Sequence, residues 1–228
     1  MNFLKAKDYQ KHAKVQDLMG LKLCEILKNL EISHFKKVFE FGCGRGEFSD
    51  KLSKIITFDE YLKNDILDYP DNLNVEIFDM NTLATQNLSK QKFDLITSNA
   101  SLQWLDLKQV LPTLANMLNK KGILLLSTFA KQNLKEIKQS TGFGLNYFSL
   151  NELEQIFKVY FNEVKITQEL VELSFDNALD VFRHLKLSGV NSLGFYPLNK
   201  GFLKEFEEKF QNKLTYHPVF ILCKNDIK

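Results

Sequence analysis

The chain has 228 residues, 44% of them hydrophobic, and a net charge of only +2. That length suits one domain with an elaboration and a substantial core, and the near-neutral balance removes the strong electrostatic case for nucleic acid as a partner. Cys24, Cys43 and Cys223 stand far apart with no CxxC pair, so neither disulfides nor a zinc site is expected.

The N-terminus, with Lys5, Lys7, Asp8 and Lys11, lacks the apolar run of a signal peptide. No apolar stretch approaches the ~20 residues needed to span a bilayer. The expectation is a soluble cytosolic protein that neither enters nor rests on a membrane. No internal repeat, low-complexity segment or Pro/Gly/Ser linker argues for independent domains.

Tyr9 to Leu30 carries Val15, Leu18, Met19, Leu23, Ile26 and Leu27 at three- and four-residue steps, which predicts an amphipathic helix. A first strand follows at about Lys37 to Phe41, then a helix from Glu47 to about Ile56. Tyr61 to Lys63, Val75 to Phe78 and Phe93 to Ser98 predict three more strands, the last followed by a helix over Leu107 to Leu118. Lys120-Lys121-Gly122 turns into the apolar strand Ile123 to Ser127. Strands that are apolar almost throughout, alternating with helices, predict a parallel sheet covered on both faces.

Beyond Phe129 the pattern becomes more helical. Ser149-Leu150-Asn151-Glu152 reads as a capping box opening a helix to about Val159. Val164 to Phe175 alternates as a strand, Asp176 is placed to cap a helix to Leu187, and Gly201 to Phe210 predicts another helix. Leu214 to Cys223 suggests a final strand.

The densest signal is Glu40-Phe41-Gly42-Cys43-Gly44-Arg45-Gly46, a strand end running into a glycine-rich turn ahead of a helix. Glycines at alternate positions permit positive φ and close backbone approach by a ligand. A dinucleotide fingerprint needs a third glycine where Glu47 stands, and that carboxylate would repel a pyrophosphate. The turn therefore points to a nucleoside with an uncharged ribose and a cationic group facing Glu40. The plainer alternative is a turn that merely closes a βα unit.

In an open α/β sheet, ligands bind beyond the carboxyl ends of the strands. Glu40, Asp65, Asp79 and Asn99 fall at such ends. Asp65 leaves room after Gly46 for a helix, a loop and a strand; Asp59 is the second choice, and either acid also reads as a solvated loop residue. Asp79 reads equally as a helix cap, and Trp104, the only tryptophan, as a core or lid residue.

Glu40 through Gly46 resembles motif I of the class I S-adenosylmethionine-dependent methyltransferases, where the acidic residue contacts the methionine amino group. The resemblance implies S-adenosyl-L-methionine as cofactor and a Rossmann-like class I methyltransferase fold. That fold is α/β, with a mostly parallel seven-stranded sheet, helices on both faces, a late two-strand hairpin at the edge and a helical substrate-side elaboration. One domain over 1–228 is implied: a helical lid at 1–30, a cofactor-binding core at 36–130, and substrate-side helices and strands at 131–228. Within it, Asp65 would hold the ribose hydroxyls, and Asp79-Met80 would clamp the adenine.

Ser98-Asn99-Ala100-Ser101 does not match the N/D-P-P-Y/F tetrapeptide of enzymes that methylate nucleobase amines. Ser98-Asn99-Ala100-x-Leu102-Gln103-Trp104 instead resembles the malonyl-[acyl-carrier protein] O-methyltransferases of biotin synthesis. Tyr9, Ala13 and Gln16 resemble that family's N-terminal segment, which folds over the cofactor. Ser127-Thr128-Phe129 with Leu134-x-Glu136, and Phe182-Arg183-His184-Leu185-Lys186-x-x-Gly189-Val190, resemble later elements of it. Two departures stand out: the chain between Gly46 and Asp79 is short, and Lys120-Lys121-Gly122 lacks the usual proline.

The resemblance implies a malonyl thioester acceptor, on an acyl carrier protein or coenzyme A, met by Gln103, Trp104 and Arg183; a monomer is expected. A carboxylate is already ionised at neutral pH, so its methylation needs proximity and desolvation rather than a general base. None of His12, His34, His184 and His217 forms a recognisable catalytic pair, though His12 and His184 lie in matched segments. Arg183 is the expected carboxylate clamp; its alternative is a surface ion pair with Asp180. Lys186, Lys200 and Lys204 would steer an acidic carrier or form an ordinary solvated face. A small-acid carboxyl methyltransferase acting on trans-aconitate, and a non-catalytic cofactor-binding module, are the other readings.

Overall fold

The computed structural model describes residues 14–72, 74–188 and 198–224. In chain order its helices and strands are α1 (Lys14–Lys28), β1 (His34–Phe41), α2 (Glu47–Leu52), β2 (Thr57–Asp65), β3 (Val75–Ile77), β4 (Phe93–Ser98), α3 (Leu107–Met117) and β5 (Leu118–Phe129). There follow α4 (Lys135–Thr141), α5 (Leu150–Lys158), β6 (Glu163–Gln168), β7 (Val171–Ser174), α6 (Ala178–Leu187), α7 (Lys200–Phe210), β8 (Lys213–Tyr216) and β9 (Pro218–Lys224). The chain divides into two compact units. The larger holds Gln16–Thr128, Ser149–Gln168 and the residues from Val219 on; the smaller holds the residues up to Val15, Phe129–Phe148 and Glu169–Pro218.

The larger unit is built on a seven-stranded sheet in the order β3-β2-β1-β4-β5-β9-β6. β1 runs parallel to β2 and β4, as do β2 with β3 and β4 with β5, while β9 runs antiparallel to β6. The strand order reverses between β1 and β4, which opens a crevice at their carboxyl ends. Val38 to Phe41 is buried without interruption, as expected of a central parallel strand covered on both faces. Phe39 sets its ring 6.2 Å from Phe41 and 5.4 Å from Phe93. α1 turns Met19, Leu23 and Leu27 inward at helical spacing. Truncating one such leucine to alanine costs about 2–5 kcal/mol.

β4 and the capping box of α5 lie where the sequence predicts them: Ser149 Oγ accepts from Glu152 N, and Glu152 returns a carboxylate to Ser149 N. Three segments differ. β2 is much longer than Tyr61–Lys63, because its outer half is a half-exposed strand with little apolar content. Val164–Phe175 is not one strand: the chain leaves the large sheet after Gln168 and re-pairs as β7 with β8. The last strand is likewise two, β8 and β9, parted at His217. The late antiparallel pair of the large sheet is thus β6 with β9, joined by a long excursion rather than a tight turn. Among the described residues no helix separates β2 from β3; residues 66–72 and 74 lie in the connection, and short 3₁₀ turns fill the space before β4.

In the smaller unit, β7 and β8 pair beside α4, α6 and α7. Asn177, not Asp176, caps α6, its side chain accepting from Asp180 N. Phe182 packs 5.5 Å from Phe202 and 5.1 Å from Phe206, which joins α6 to α7. The buried Glu136 carboxylate takes the backbone N–H of Thr215 at 3.0 Å and its hydroxyl at 2.6 Å.

Candidate active site

The turn after β1 needs its glycines. Gly42, Gly44 and Gly46 have φ of 64°, 55° and 93°, in the left-handed region that favours glycine. A Cβ on Gly42 would lie 2.1 Å from Ser101 Oγ, whereas one on Gly44 would meet nothing within 4 Å. Gly42 is therefore locked against the segment after β4, and Gly44 faces open space. Three ties fix the loop from β2 and its following loop: Cys43 N donates to Asn64 O (3.0 Å), Gly44 N to Asp65 Oδ2 (2.8 Å), and Asn72 Nδ2 to Gly44 O (2.9 Å). Arg45 turns away to pair with Asp71 at 2.8 Å and lies over the Tyr69 ring.

Glu40 ends the buried run of β1 with 1% of its surface exposed. Ser49 Oγ of α2 (2.5 Å) and Tyr61 OH of β2 both donate to its Oε2. Burial pushes its carboxyl up to about 7, against the pull of those two hydroxyls and of Lys63. Among the described residues it has no ion-pair partner. A buried carboxylate whose direct hydrogen-bond donors are both neutral hydroxyls favours a cation as its ligand.

Asp65 stands at the end of β2, its Oδ1 accepting from Leu67 N (3.0 Å) and its Oδ2 from Gly44 N. Each carboxylate oxygen has two acceptor sites, so these bonds orient the group without exhausting it. Asp59 instead lies far back on β2, exposed and 3.6 Å from His34. Asp79 caps the first 3₁₀ turn through Oδ1, which receives Asn81 N at 2.9 Å, and Met80 beside it is buried.

Asn99, beyond β4, donates to Gln16 O in α1 (2.9 Å) and accepts from Ser127 Oγ (2.7 Å). Gln103 donates to Ala100 O (2.5 Å) and accepts from Thr128 Oγ1 (3.1 Å); Trp104 closes the same 3₁₀ turn, half-buried. Thus Glu40, Asp65 and Asn99 stand at or just past the carboxyl ends of β1, β2 and β4, with Gly44 tied to Asp65, Gly42 against Ser101, Gln16 bonded to Asn99, and Gln103 and Trp104 in the turn after β4. Tyr9, His12 and Ala13 lie outside the described residues, as do Gly189 and Val190.

In the smaller unit Arg183 is 63% exposed and pairs with Asp180 at 2.9 Å. His184 shares a hydrogen bond with Tyr216 OH, and His217, its pKa lowered by burial, accepts from Gln132 N. Lys186, Lys200 and Lys204 are exposed, and Lys204 reaches Glu208 at 3.7 Å.

Sequence reasoning missed Ser49, Tyr61 and Asn72. The first lies one turn into α2, and its hydroxyl at that place was the only local hint. The other two are brought in by strand register and loop path, which leave no local signal.

A parallel sheet reversing at β1/β4, with a glycine cradle and a buried acid at the reversal, defines a class I methyltransferase. A family described as a methyltransferase domain matches residues 11–160. Similar in fold, with 16% identity, a TM-score of 0.58 and 92% and 94% of the two chains covered, is the crystal structure of a SAM-dependent methyltransferase from Archaeoglobus fulgidus. The malonyl-[acyl-carrier protein] O-methyltransferase of Calditerrivibrio nitroreducens is 35% identical over 98% of this chain and 95% of its own. That of Bacteroides thetaiotaomicron is 33% identical over 95% and 92%. The chain belongs to the malonyl-[acyl-carrier protein] O-methyltransferases.

The cradle fits the donor that this class employs. Gly44 opens onto free space, Glu40 lacks a cationic partner among the described residues, and Ser98 Oγ is buried without a hydrogen-bond partner there. Two carboxylates, Glu40 and Asp65, with Arg45 drawn off by Asp71, suit a sulfonium nucleoside and oppose a diphosphate.

Proposed function

We propose that this chain uses S-adenosyl-L-methionine to methyl-esterify the free carboxylate of a malonyl thioester on acyl carrier protein, opening biotin synthesis. The observation that carries the acceptor is the 35% identity, over 98% of the chain, to a relative named for that reaction. S-adenosylmethionine, when bound, supplies a methyl group on a cationic sulfur for in-line transfer to a nucleophile. Glu40 takes the donor's ammonium group, and the Gly42–Gly46 turn lets the backbone approach its nucleoside. Asp65 holds the ribose, Asp79 and Met80 the adenine, and Gln16 and Asn99 close the cofactor side.

Gln103 and Trp104 are the proposed acceptor-side residues, and Arg183 is the proposed carboxylate clamp, exchanging Asp180 for the substrate. No proton must be removed from the acceptor, so orientation and exclusion of water are what the protein contributes. The enzyme works in the cytoplasm, where its three buried cysteines remain thiols. Among the described residues no helix is long and apolar enough to cross a membrane.

The test offers labelled S-adenosylmethionine with malonyl-acyl carrier protein, malonyl-CoA or trans-aconitate, and detects the methyl ester by mass. Methylation of the carrier-bound malonyl group in preference to the others is expected. Preference for trans-aconitate would move the chain to the small-acid enzymes, and tight binding without methylation of any acceptor would reduce it to a binding module.

A further inference from the structure

Glu40 is held in an asymmetric way. Both hydroxyls that reach it, Ser49 Oγ from α2 and Tyr61 OH from β2, donate to the same oxygen, Oε2. Oε1 lies outside both bonds. Ser49 is buried, and the Tyr61 ring is fixed edge-on against Phe58 with centroids 4.9 Å apart. The parallel register of β1 and β2 places Tyr61 opposite Val38 and Lys63 opposite Glu40 itself. Two donors arriving from different elements fix both the rotation and the position of a carboxylate, where a single donor would leave it free to swing.

We propose that Ser49 and Tyr61 are positioning residues that saturate Oε2 of Glu40 and so present Oε1 to the primary ammonium group of the donor. This deepens the methyl-donor reading above and rests on it. The pair selects for ligands that carry the amino group and is indifferent to the nucleoside portion. It also stabilises the ionised form of Glu40 against burial, because both bonds are donated to the charged acceptor. The other charged or titratable groups around Glu40 are Lys63 and Asp65 on β2, Cys43 in the glycine turn and Cys24 on α1. β4 presents the neutral Thr97 opposite it.

Calorimetry on Tyr61→Phe, Ser49→Ala and the unaltered enzyme tests this with two probes. S-adenosylhomocysteine has the amino-acid arm; 5′-methylthioadenosine shares the nucleoside and lacks that arm. Each substitution is expected to weaken S-adenosylhomocysteine about tenfold at pH 7, the loss of one charge-assisted hydrogen bond, and to leave methylthioadenosine unchanged. The rise of S-adenosylhomocysteine affinity with pH, which follows ionisation of Glu40, moves upward by about one pH unit in each variant.

Equal weakening of both probes would make the hydroxyls mere supports of the fold, and no weakening of either would make them irrelevant; both results overturn the inference. An unaltered enzyme that binds neither probe is a different failure, since it removes the methyl-donor reading itself.

Discussion

Asn72 Nδ2 donates to the carbonyl of Gly44 at 2.9 Å, which brings the loop between β2 and β3 back onto the glycine turn. The same side chain reaches Cys43 Sγ at 3.3 Å and accepts from Lys63 Nζ. Among the described residues no helix lies between β2 and β3, and Asn72 makes this short connection part of the cradle. Asn72→Ala takes the amide donor from the Gly44 carbonyl, leaving it only the weak Cys43 thiol, and takes the acceptor from Lys63 in a mostly buried place, at a cost of about 1–3 kcal/mol. The expected result is a five- to tenfold higher KM for S-adenosylmethionine, the lower part of that range at about 1.4 kcal/mol per tenfold, with kcat nearly unchanged. Steady-state kinetics read both; a fall confined to kcat would show that the loop does not shape the donor site.

Gly42 and Gly44 share a positive φ but differ in what surrounds them. Alanine at Gly44 incurs only the left-handed backbone penalty, about 1–2 kcal/mol. Alanine at Gly42 adds a methyl group 2.1 Å from Ser101 Oγ and 2.5 Å from its Cβ. Gly42→Ala should therefore lower the melting temperature several degrees more than Gly44→Ala, and abolish S-adenosylhomocysteine binding. Removing the Ser101 side chain relieves the clash, so Gly42→Ala with Ser101→Gly recovers part of the loss, while Gly44→Ala gains nothing from the same change. Equal melting temperatures for the two single variants would contradict this account.

The readable parts of this chain are those where a local demand singles out a residue type. The glycine turn is legible because positive φ restricts the choice of side chain, and α5 because Ser149 and Glu152 satisfy each other within one turn. β4 is legible because a doubly covered strand is apolar almost throughout. The split of residues 163–174 into β6 and β7 is not legible, since alternation continues across the break and only pairing with β9 or β8 divides it. Tyr61 and Asn72 fail for the same reason: their roles depend on parallel register and on a loop's return path. Arg183 is a residue whose type alone does not separate its two readings, for its exposed guanidinium has an acid three residues away in the helix.

Glu40 makes the stability of the ligand-free enzyme depend on pH in an uncommon direction. Its carboxyl is raised by burial from 4.5 to about 7. Between those values the folded state holds a proton that the unfolded chain has released, so the slope of unfolding free energy against pH is negative. This contribution is fully present below about 4.5 and is lost as pH rises to about 7, amounting to about 3 kcal/mol. Glu40→Gln lacks the ionisation. Denaturant melts at a series of pH values should show the variant overtaking the native enzyme as pH rises through 5 to 7. Parallel curves for the two would mean that Glu40 keeps an ordinary pKa.

Asn99 serves both directions of its amide: Nδ2 donates to Gln16 O in α1, and Oδ1 accepts from Ser127 Oγ at the end of β5. Ser127 Oγ in turn receives Ala100 N at 3.0 Å, so one side chain couples the first helix to the ends of β4 and β5. Around it α1 packs closely, for a Cβ on Gly20 would lie 3.3 Å from both Asn99 Nδ2 and Phe48, and Asp17 pairs with Lys51 at 2.5 Å. Asn99→Ala removes the polar tie and leaves these contacts. The start of α1 should then open more often, with amide exchange at residues 17–20 about tenfold faster for a loss of about 1.4 kcal/mol. Exchange in β1 should be unaltered, because its hydrogen bonds to β2 and β4 do not involve Asn99. Asn99→Asp separates the two roles, since it keeps the acceptor for Ser127 and replaces the donor with a charge facing Gln16 O. It should speed exchange in α1 at least as much as alanine does; an Asp variant that protects α1 like the native residue would show that the Gln16 bond holds nothing in place.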